Sequence, residues 1–153
     1  MNIYGLLKED QIFLDIEPGD KRSVLEEIVF ALKKRGLISK EKGVVEELLK
    51  REGLGSTGLE KGIAVPHALI EKIEKPLLAL ALIRKGINFE AADKMPTYIV
   101  LLLLGNKDNP VSQLRLLAHI CRMVKETKFV EKAKKAKSSH DIRLILKKEE
   151  DKI

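Results

Sequence analysis

Two uninterrupted apolar runs constrain the fold of this 153-residue chain more than any other feature. They are "LLALALI" at 77–83 and "YIVLLLL" at 98–104. A helix needs about 20 apolar residues to cross a membrane, so these shorter runs predict buried strands and no membrane insertion. Strands that are apolar at every position are typical of a sheet whose two faces are both covered by helices. The runs therefore predict an α/β domain.

Two helices are predicted ahead of the apolar runs. Asp20 is placed to cap a helix over 21–35, in which apolar residues recur at helical spacing. Ser39 is placed to cap a second helix over 40–51. A loop that contains three glycines follows this second helix.

Three further helices are predicted after the second run. Asn109, which a proline follows, is placed to cap a helix over 110–125. Its inward-facing residues are expected to be Leu114, Leu117, Cys121 and Val124. Thr127 is placed to start a short helix, and Ser138 with Asp141 three positions later resembles a capping box for the last one.

Shorter segments complete the predicted sheet. The stretches "IFLDI" at 12–16 and "GIAVPH" at 62–67 favour strands, and the stretch 85–96 favours a turn or hairpin between the two runs. Elements in this order predict an α/β fold with a single small mixed β-sheet flanked by helices on both faces. The length fits one domain over 1–153.

Composition limits the classes of function. The net charge is +6, but basic and acidic residues are interspersed and no basic stretch carries stacking aromatic residues, so nucleic-acid binding is not expected. The single cysteine, Cys121, can form neither an internal disulfide nor a cysteine-ligated zinc site. The spacing of the three histidines suits no metal. The N-terminal residues do not resemble a signal peptide, so the prediction is a cytoplasmic protein.

His67 is the candidate for chemistry because it stands at the end of a predicted strand, where sites form in open α/β sheets. Pro66 fixes its own backbone angle and favours an extended Val65, which would present the imidazole rigidly. Upstream glycines leave backbone N–H groups to meet an anion, and a neutral imidazole is a nucleophile near pH 7. The residues alone leave two interpretations open, a group-carrying histidine and a capped, partly buried structural one.

The segment "REGLGSTGLEKGIAVPHA" at 51–68 resembles the active-site segment of enzyme IIA of the bacterial phosphoenolpyruvate-dependent sugar phosphotransferase system. The resemblance is to the fructose/mannitol family, which includes nitrogen-regulatory members. An Arg-Glu pair, a Ser/Thr-Gly stretch and the Gly-Ile-Ala-Ile-Pro-His motif align without a gap, with Val65 in place of the second isoleucine. The segment 109–124 resembles the family's helix beside the site, and the likeness in organisation extends over 10–147.

This resemblance implies a mechanism. His67 would accept a phosphoryl group on Nε2 from phospho-HPr or a paralogue, while a backbone carbonyl holds its Nδ1–H. It would then pass the group to a IIB component, or keep it as a mark on a regulatory module that docks target proteins. Arg51, 16 positions before the histidine as in the family, is expected to neutralise the phosphoryl oxygens. Ser56 and Thr57 are candidates to donate hydroxyl hydrogen bonds, and no cofactor is implied.

Two positions depart from the family. Glu60 replaces a usual glycine, and its carboxylate would repel a phosphoryl group unless it faces solvent or meets Lys61. Gln113 stands where the family carries a second histidine, and its amide can bond a phosphoryl oxygen but cannot take up a proton. Gln113 is therefore a supporting candidate whose presence leaves the regulatory role open. His119 is assigned to the flank of its helix, and His140 to solvent. The sugar and the oligomeric state are left open.

Overall fold

The computed structural model describes residues 2–153 and has one five-stranded mixed sheet with helices on both faces, which confirms the predicted fold class. The strands are β1 (Ile12–Phe13), β2 (Ile63–Ala64), β3 (His67–Ile70), β4 (Leu77–Ile87) and β5 (Thr97–Asn106). The helices are α1 (Ile3–Leu6), α2 (Lys21–Lys34), α3 (Glu41–Glu52), α4 (Pro110–Glu126), α5 (Phe129–Ala133) and α6 (Ser139–Glu150).

The two apolar runs form the centre of the sheet. They lie in β4 and β5, which pair antiparallel as a hairpin, with Leu80 opposite Leu101. β1 lies parallel to β4 at one edge, and β2 and β3 lie parallel to β5 at the other. The site segment therefore belongs to an edge strand of the sheet.

Both faces of the central strands are covered, as their unbroken apolar sequence predicts. On one face Leu80 and Leu101 pack in a core with α1, α4, α5 and α6. On the other face Ala79 and Ala81 pack in a second core with α2 and α3. Because side chains alternate along a strand, covering both faces requires apolar residues at every position.

Most of the predicted helix starts are present. Asp20 accepts a hydrogen bond from the Ser23 N–H at 2.8 Å, and Ser138 accepts one from the Asp141 N–H at 3.0 Å. Ser39 is not the cap of α3, because the helix starts after Lys40, which provides no side-chain cap. The predicted first strand is also too long, since only Ile12–Phe13 pairs with β4.

The predicted inner face of α4 is wrong by about one position. Leu114 is 67 % exposed and Cys121 is exposed, so neither belongs to the core. The buried line of the helix is Gln113, Leu116, Ile120, Met123 and Val124. Consecutive residues lie about 100° apart around a helix. A buried line that begins at Gln113 instead of Leu114 therefore faces a different direction along the whole helix. The apolar pattern alone could not reveal this because the line begins with a glutamine.

A buried carboxylate joins α5 and α6. The Glu149 side chain accepts hydrogen bonds from Lys152 Nζ at 2.8 Å, from the Lys128 N–H at 2.9 Å and from Lys132 Nζ at 3.1 Å. These donors, Lys152 first, lower the pKa of Glu149 from 4.5 to about 2. Its carboxylate therefore stabilises the fold above pH 4.5, and this stabilisation is lost as the pH falls towards 2.

Replacing Glu149 with glutamine is expected to lower the free energy of unfolding by about 2 kcal/mol at pH 7. The deficit relative to the natural protein should shrink as the pH falls from 4.5 towards 2, because protonation then removes from Glu149 the charge that glutamine lacks. Urea unfolding at pH 7, 4 and 2.5 measures this difference. A deficit that stays constant with pH would show that the charge of Glu149 contributes nothing.

Candidate functional site

β2 and β3 form one interrupted edge strand. Ile63 pairs with Ile99 and His67 pairs with Leu103, so the register with β5 is unchanged across the break. The break falls at 65–66, where Pro66 lacks an N–H for the ladder. The predicted strand therefore ends early, and His67 begins β3 instead of ending a strand. The site lies along a lateral edge of the sheet, not at the carboxyl ends of its strands.

The backbone of His67 faces the open side of this edge. The Leu103 N–H donates to the Pro66 carbonyl at 2.9 Å while His67 itself pairs with Leu103. In a parallel ladder this arrangement directs the N–H and C=O of His67 away from β5. The N–H therefore points away from β5 in the plane of the sheet.

The imidazole of His67 is half-buried and held by one contact. Its Nδ1 lies 2.9 Å from the Val65 carbonyl oxygen, which can only accept a hydrogen bond. Nδ1 must therefore carry the hydrogen, and in the neutral ring Nε2 then keeps its lone pair. Part of the residue is exposed and only Nδ1 has a hydrogen-bond partner, so Nε2 is the nitrogen available for chemistry.

Arg51 lies in the last turn of α3, which packs against β3. A cavity of about 260 Å³ is lined by the first turn of α3 together with Ile70, so the start of the helix lies at the end of β3. The end of the helix that carries Arg51 is thus directed towards the end of the strand that carries His67. Arg51 is half-buried, and its Nη1 donates to the Gly55 carbonyl at 2.9 Å. A guanidinium has four further N–H donors.

The glycine loop after α3 does not offer the free N–H groups that its sequence suggested. The N–H groups of Gly53, Leu54 and Gly55 all donate to carbonyls in the last turn of α3. They satisfy the carbonyls that every helix leaves unpaired at its C-terminus. The N–H of His67 is a backbone donor in this region that the ladder with β5 does not use.

Ser56 and Thr57 tie this loop to its surroundings. Ser56 Oγ donates to the Phe89 carbonyl at 2.7 Å, and Thr57 Oγ1 donates to the Glu52 carboxylate. Each hydroxyl has one hydrogen, and both are donated within the protein. Gly58 follows, and a Cβ there would lie 2.8 Å from Ala91 Cα, so only glycine allows this approach. These contacts hold the loop against the β4–β5 connection, whereas donation to a phosphate stays a prediction.

Gln113 lies in the first turns of α4, beside β3. Its Nε2 donates to the Ala68 carbonyl at 2.8 Å, and the side chain is buried. A Cβ at Gly105 would lie 2.9 Å from this nitrogen, so the glycine in β5 makes room for the amide. The structure thus brings the amide against the residue that follows His67. One amide hydrogen remains for another acceptor.

Besides Leu114, two exposed apolar side chains stand close in the sequence to these residues, and sequence analysis did not single them out. Leu54, in the glycine loop, is 84 % exposed, and Val111, in the first turn of α4, is 54 % exposed. Isolated exposed leucines are common, but both stand beside candidate site residues in the sequence. The sequence signal that points to them is that they lie within three positions of Arg51 and Gln113.

Glu60, His119 and His140 make no contact with these site residues among the hydrogen bonds and ion pairs of the described chain. Glu60 is exposed, which meets the condition that its carboxylate face solvent and not a phosphoryl group. His119 contacts Glu150 at 2.7 Å, and the exposed His140 contacts Glu9 at 3.0 Å. Across residues 2–153, no group of three or more His, Cys, Asp or Glu side chains is arranged to hold a metal ion. Over the same residues, no helix has the apolar length to span a bilayer.

The family is established by comparison with known proteins. Residues 5–149 match the sequence model described as phosphoenolpyruvate-dependent sugar phosphotransferase system, EIIA 2, so the chain belongs to this family of phosphotransferase components. It is 33 % identical to a nitrogen regulatory protein of Bradyrhizobium diazoefficiens, over 95 % of this chain and 92 % of the relative. It is 28 % identical to the fructose-specific EIIABC component of Bacillus subtilis, over 93 % of this chain but only 22 % of that much longer relative.

Solved structures agree with this assignment. The nitrogen regulatory protein IIA-Ntr of Neisseria meningitidis has a TM-score of 0.84 at 29 % identity, over 94 % of this chain and 98 % of that one. The Escherichia coli mannitol IIA, solved in complex with phosphorylated IIB, has a TM-score of 0.76 at 20 % identity, over 94 % of this chain and 99 % of that one. The second match shows the fold alone.

Proposed function

We propose that this protein is a phosphocarrier whose residues 1–153 form one EIIA type-2 domain, and that it holds a phosphoryl group on Nε2 of His67. The observation that carries the proposal is the 2.9 Å contact between His67 Nδ1 and the Val65 carbonyl. This contact leaves the Nε2 lone pair free on a half-buried ring at the edge of the sheet. A neutral nitrogen with a fixed lone pair is suited to in-line attack on phosphorus.

The transfer step follows from this tautomer. The Nε2 lone pair attacks the phosphorus of a donor phosphohistidine and forms a new N–P bond. The N–P bond to the donor breaks, and its electron pair stays on the donor nitrogen as a lone pair. The donor ring keeps the hydrogen on its other nitrogen, so it leaves as a neutral imidazole. His67 keeps the hydrogen on Nδ1, so the phosphorylated ring carries a positive charge next to the anionic phosphoryl group. The step reverses when the group passes to an acceptor.

Positioning and charge neutralisation are the protein's main contributions to such a transfer. We assign charge neutralisation to Arg51, whose remaining N–H donors can bridge two phosphoryl oxygens. The outward N–H of His67 and the second amide hydrogen of Gln113 are the supporting donors. Ser56 and Thr57 support the site by holding the loop in place.

The donor and acceptor are proposed to be other proteins. The exposed Leu54 and Val111, close in sequence to Arg51 and Gln113, are apolar surface that a protein partner can cover. We propose phospho-HPr or a paralogue as the donor. We propose a IIB component as the acceptor, as in the complex solved for the mannitol IIA. Transfer between such partners needs no cofactor, no nucleic acid and no membrane insertion, and we place it in the cytoplasm.

A regulatory role is the second candidate. It is favoured by the match to nitrogen regulatory proteins over nearly the whole chain and by Gln113 in place of the second histidine. In this role the phosphoryl group on His67 would decide which target protein the site docks. The chemistry at His67 is the same in both roles, and they differ in the fate of the group.

The test is incubation with phosphoenolpyruvate, enzyme I and HPr, or with their nitrogen-branch paralogues. We expect a mass increase of one phosphoryl group that is stable in base and lost in acid. Adding a IIB component should then discharge the protein if it serves transport, whereas a regulatory module should keep the group. Absence of any mass increase with both donor sets would contradict the phosphocarrier function.

Replacing Gln113 with histidine tests whether this position limits transfer. An imidazole there can carry a charge near the phosphoryl group, which the amide cannot. We expect phosphorylation by phospho-HPr to be about tenfold faster, a change of about 1.4 kcal/mol in the barrier. Rapid-quench measurement of the first turnover gives the rate. An unchanged rate in a folded variant would show that Gln113 is not limiting.

A further inference from the structure

We infer that Glu52 is a positioning residue for His67 and acts through Thr57 and Val65. The inference rests on the proposed function and adds to it the group that sets the tautomer of the imidazole. It follows from a continuous series of hydrogen bonds that starts at a buried carboxylate and ends at His67 Nδ1.

The series begins in α3. Both oxygens of the Glu52 carboxylate bind Thr57, because Oε1 accepts from Thr57 Oγ1 and Oε2 accepts from the Thr57 N–H at 3.2 Å. The Glu52 side chain is only 4 % exposed, so water does not compete for these contacts. A carboxylate that accepts two hydrogen bonds from one residue fixes both the side chain and the backbone of that residue.

The series continues from the loop to the edge strand. The Thr57 carbonyl accepts the Val65 N–H at 3.0 Å, and the Val65 carbonyl accepts His67 Nδ1–H at 2.9 Å. Val65 precedes a proline, so its own backbone is restricted to extended conformations. Holding its N–H therefore also sets the direction of its carbonyl, which sets the imidazole.

Lys21 anchors the carboxylate from the other side. Its Nζ lies 3.0 Å from Glu52 Oε2 and 3.3 Å from Glu90, and 5.0 Å from the centre of the Phe89 ring. The ammonium thus fixes Glu52 between α2 and the β4–β5 connection. The orientation of His67 is in this way connected to α2, α3 and the β4–β5 connection.

The inference predicts an effect on the ring itself. Replacing Glu52 with glutamine puts an N–H₂ group where one of the two accepting oxygens stands, so Thr57 loses one acceptor. Replacing Thr57 with valine keeps the shape but removes the hydroxyl. In both variants the Val65 carbonyl should lose its fixed direction, and His67 should populate both neutral tautomers.

The measurement is the ¹⁵N spectrum of the imidazole in the unphosphorylated protein, which distinguishes a protonated ring nitrogen from one with a lone pair. The natural protein should show the Nδ1–H form, and both variants should shift towards a mixture. Their phosphorylation by phospho-HPr should fall about tenfold, the lower end of the loss seen when metal-binding histidines lose an outer hydrogen-bond partner. Glu149→Gln is the matched control, because it removes another buried carboxylate that accepts a backbone N–H and lysine ammonium groups.

The outcomes separate this inference from the proposed function. If both variants fold, keep the pure Nδ1–H form and are phosphorylated at the natural rate, Glu52 is not a positioning residue although the phosphocarrier function stands. A tautomer shift as large in Glu149→Gln as in Glu52→Gln would also overturn the inference, since the cause would be general loosening. If Glu52→Gln does not fold, Thr57→Val decides alone. A natural protein that is never phosphorylated contradicts the proposed function, whereas the tautomer spectra still test the positioning.

Discussion

Replacing His67 with alanine is expected to abolish phosphorylation completely. No other histidine can take over, since His119 contacts a buried carboxylate and His140 is an exposed side chain paired with Glu9. The side chain of His67 is half-buried at an edge of the sheet, so its loss should change the free energy of unfolding by about 1 kcal/mol or less. Intact-mass analysis after incubation with the phosphoryl donors measures the effect.

His140→Ala is the matched control for this experiment. It removes an imidazole that also lies on the surface and should leave phosphorylation unchanged. Residual incorporation in His67→Ala at more than a trace would show that a second residue carries the group. Complete loss in both variants would show that the assay reports stability instead of chemistry.

Replacing Arg51 with alanine is expected to slow the transfer about a hundredfold without unfolding the protein. Removing one donor from a site that stabilises developing negative charge slows the reaction by about this factor. In the unphosphorylated structure the guanidinium makes one hydrogen bond, to the Gly55 carbonyl in an exposed loop, so little stability depends on it. Rapid-quench kinetics measure the rate, and thermal unfolding measures the stability.

Two further variants sharpen this prediction. Arg51→Lys keeps the charge but loses the planar pair of donors, so we expect a smaller loss, about tenfold. Lys50→Ala removes the neighbouring exposed cation and should leave the rate unchanged. If Arg51→Ala transfers at the natural rate, the guanidinium does not neutralise the phosphoryl group.

The outline of the fold could be predicted because its strongest signals are local. The runs in β4 and β5 are apolar at every position, which only a sheet covered on both faces explains. Asp20 and Ser138 cap their helices through contacts three residues away. Signals of this kind depend on neighbours in the sequence and not on the rest of the molecule.

Other elements depend on contacts between distant residues and were not predictable. Helix α1 has only four residues, and its Ile3 and Tyr4 N–H groups donate to Glu150 at the far end of the chain. The buried line of α4 starts at Gln113 because its amide reaches a carbonyl in β3. The break at 65–66 placed His67 at the start of a strand, where the stretch 62–67 suggested the end of one.

The candidate site was predictable in part. The proline before His67 indicated a rigid imidazole, and the structure holds that ring through the Val65 carbonyl. The glycine loop suggested free N–H groups, but they complete the end of α3. The role inferred for Glu52 lay beyond sequence analysis, because it depends on four hydrogen bonds that join three separate segments.

The most direct test of the central claim is to identify the nitrogen atom that carries the phosphoryl group. Protein labelled with ¹⁵N in histidine and phosphorylated by its donors can be examined for ¹⁵N–³¹P coupling. We expect the coupling on Nε2 of His67, with the hydrogen retained on Nδ1. A phosphoryl group on Nδ1, on any other side chain or on no residue at all would contradict the account.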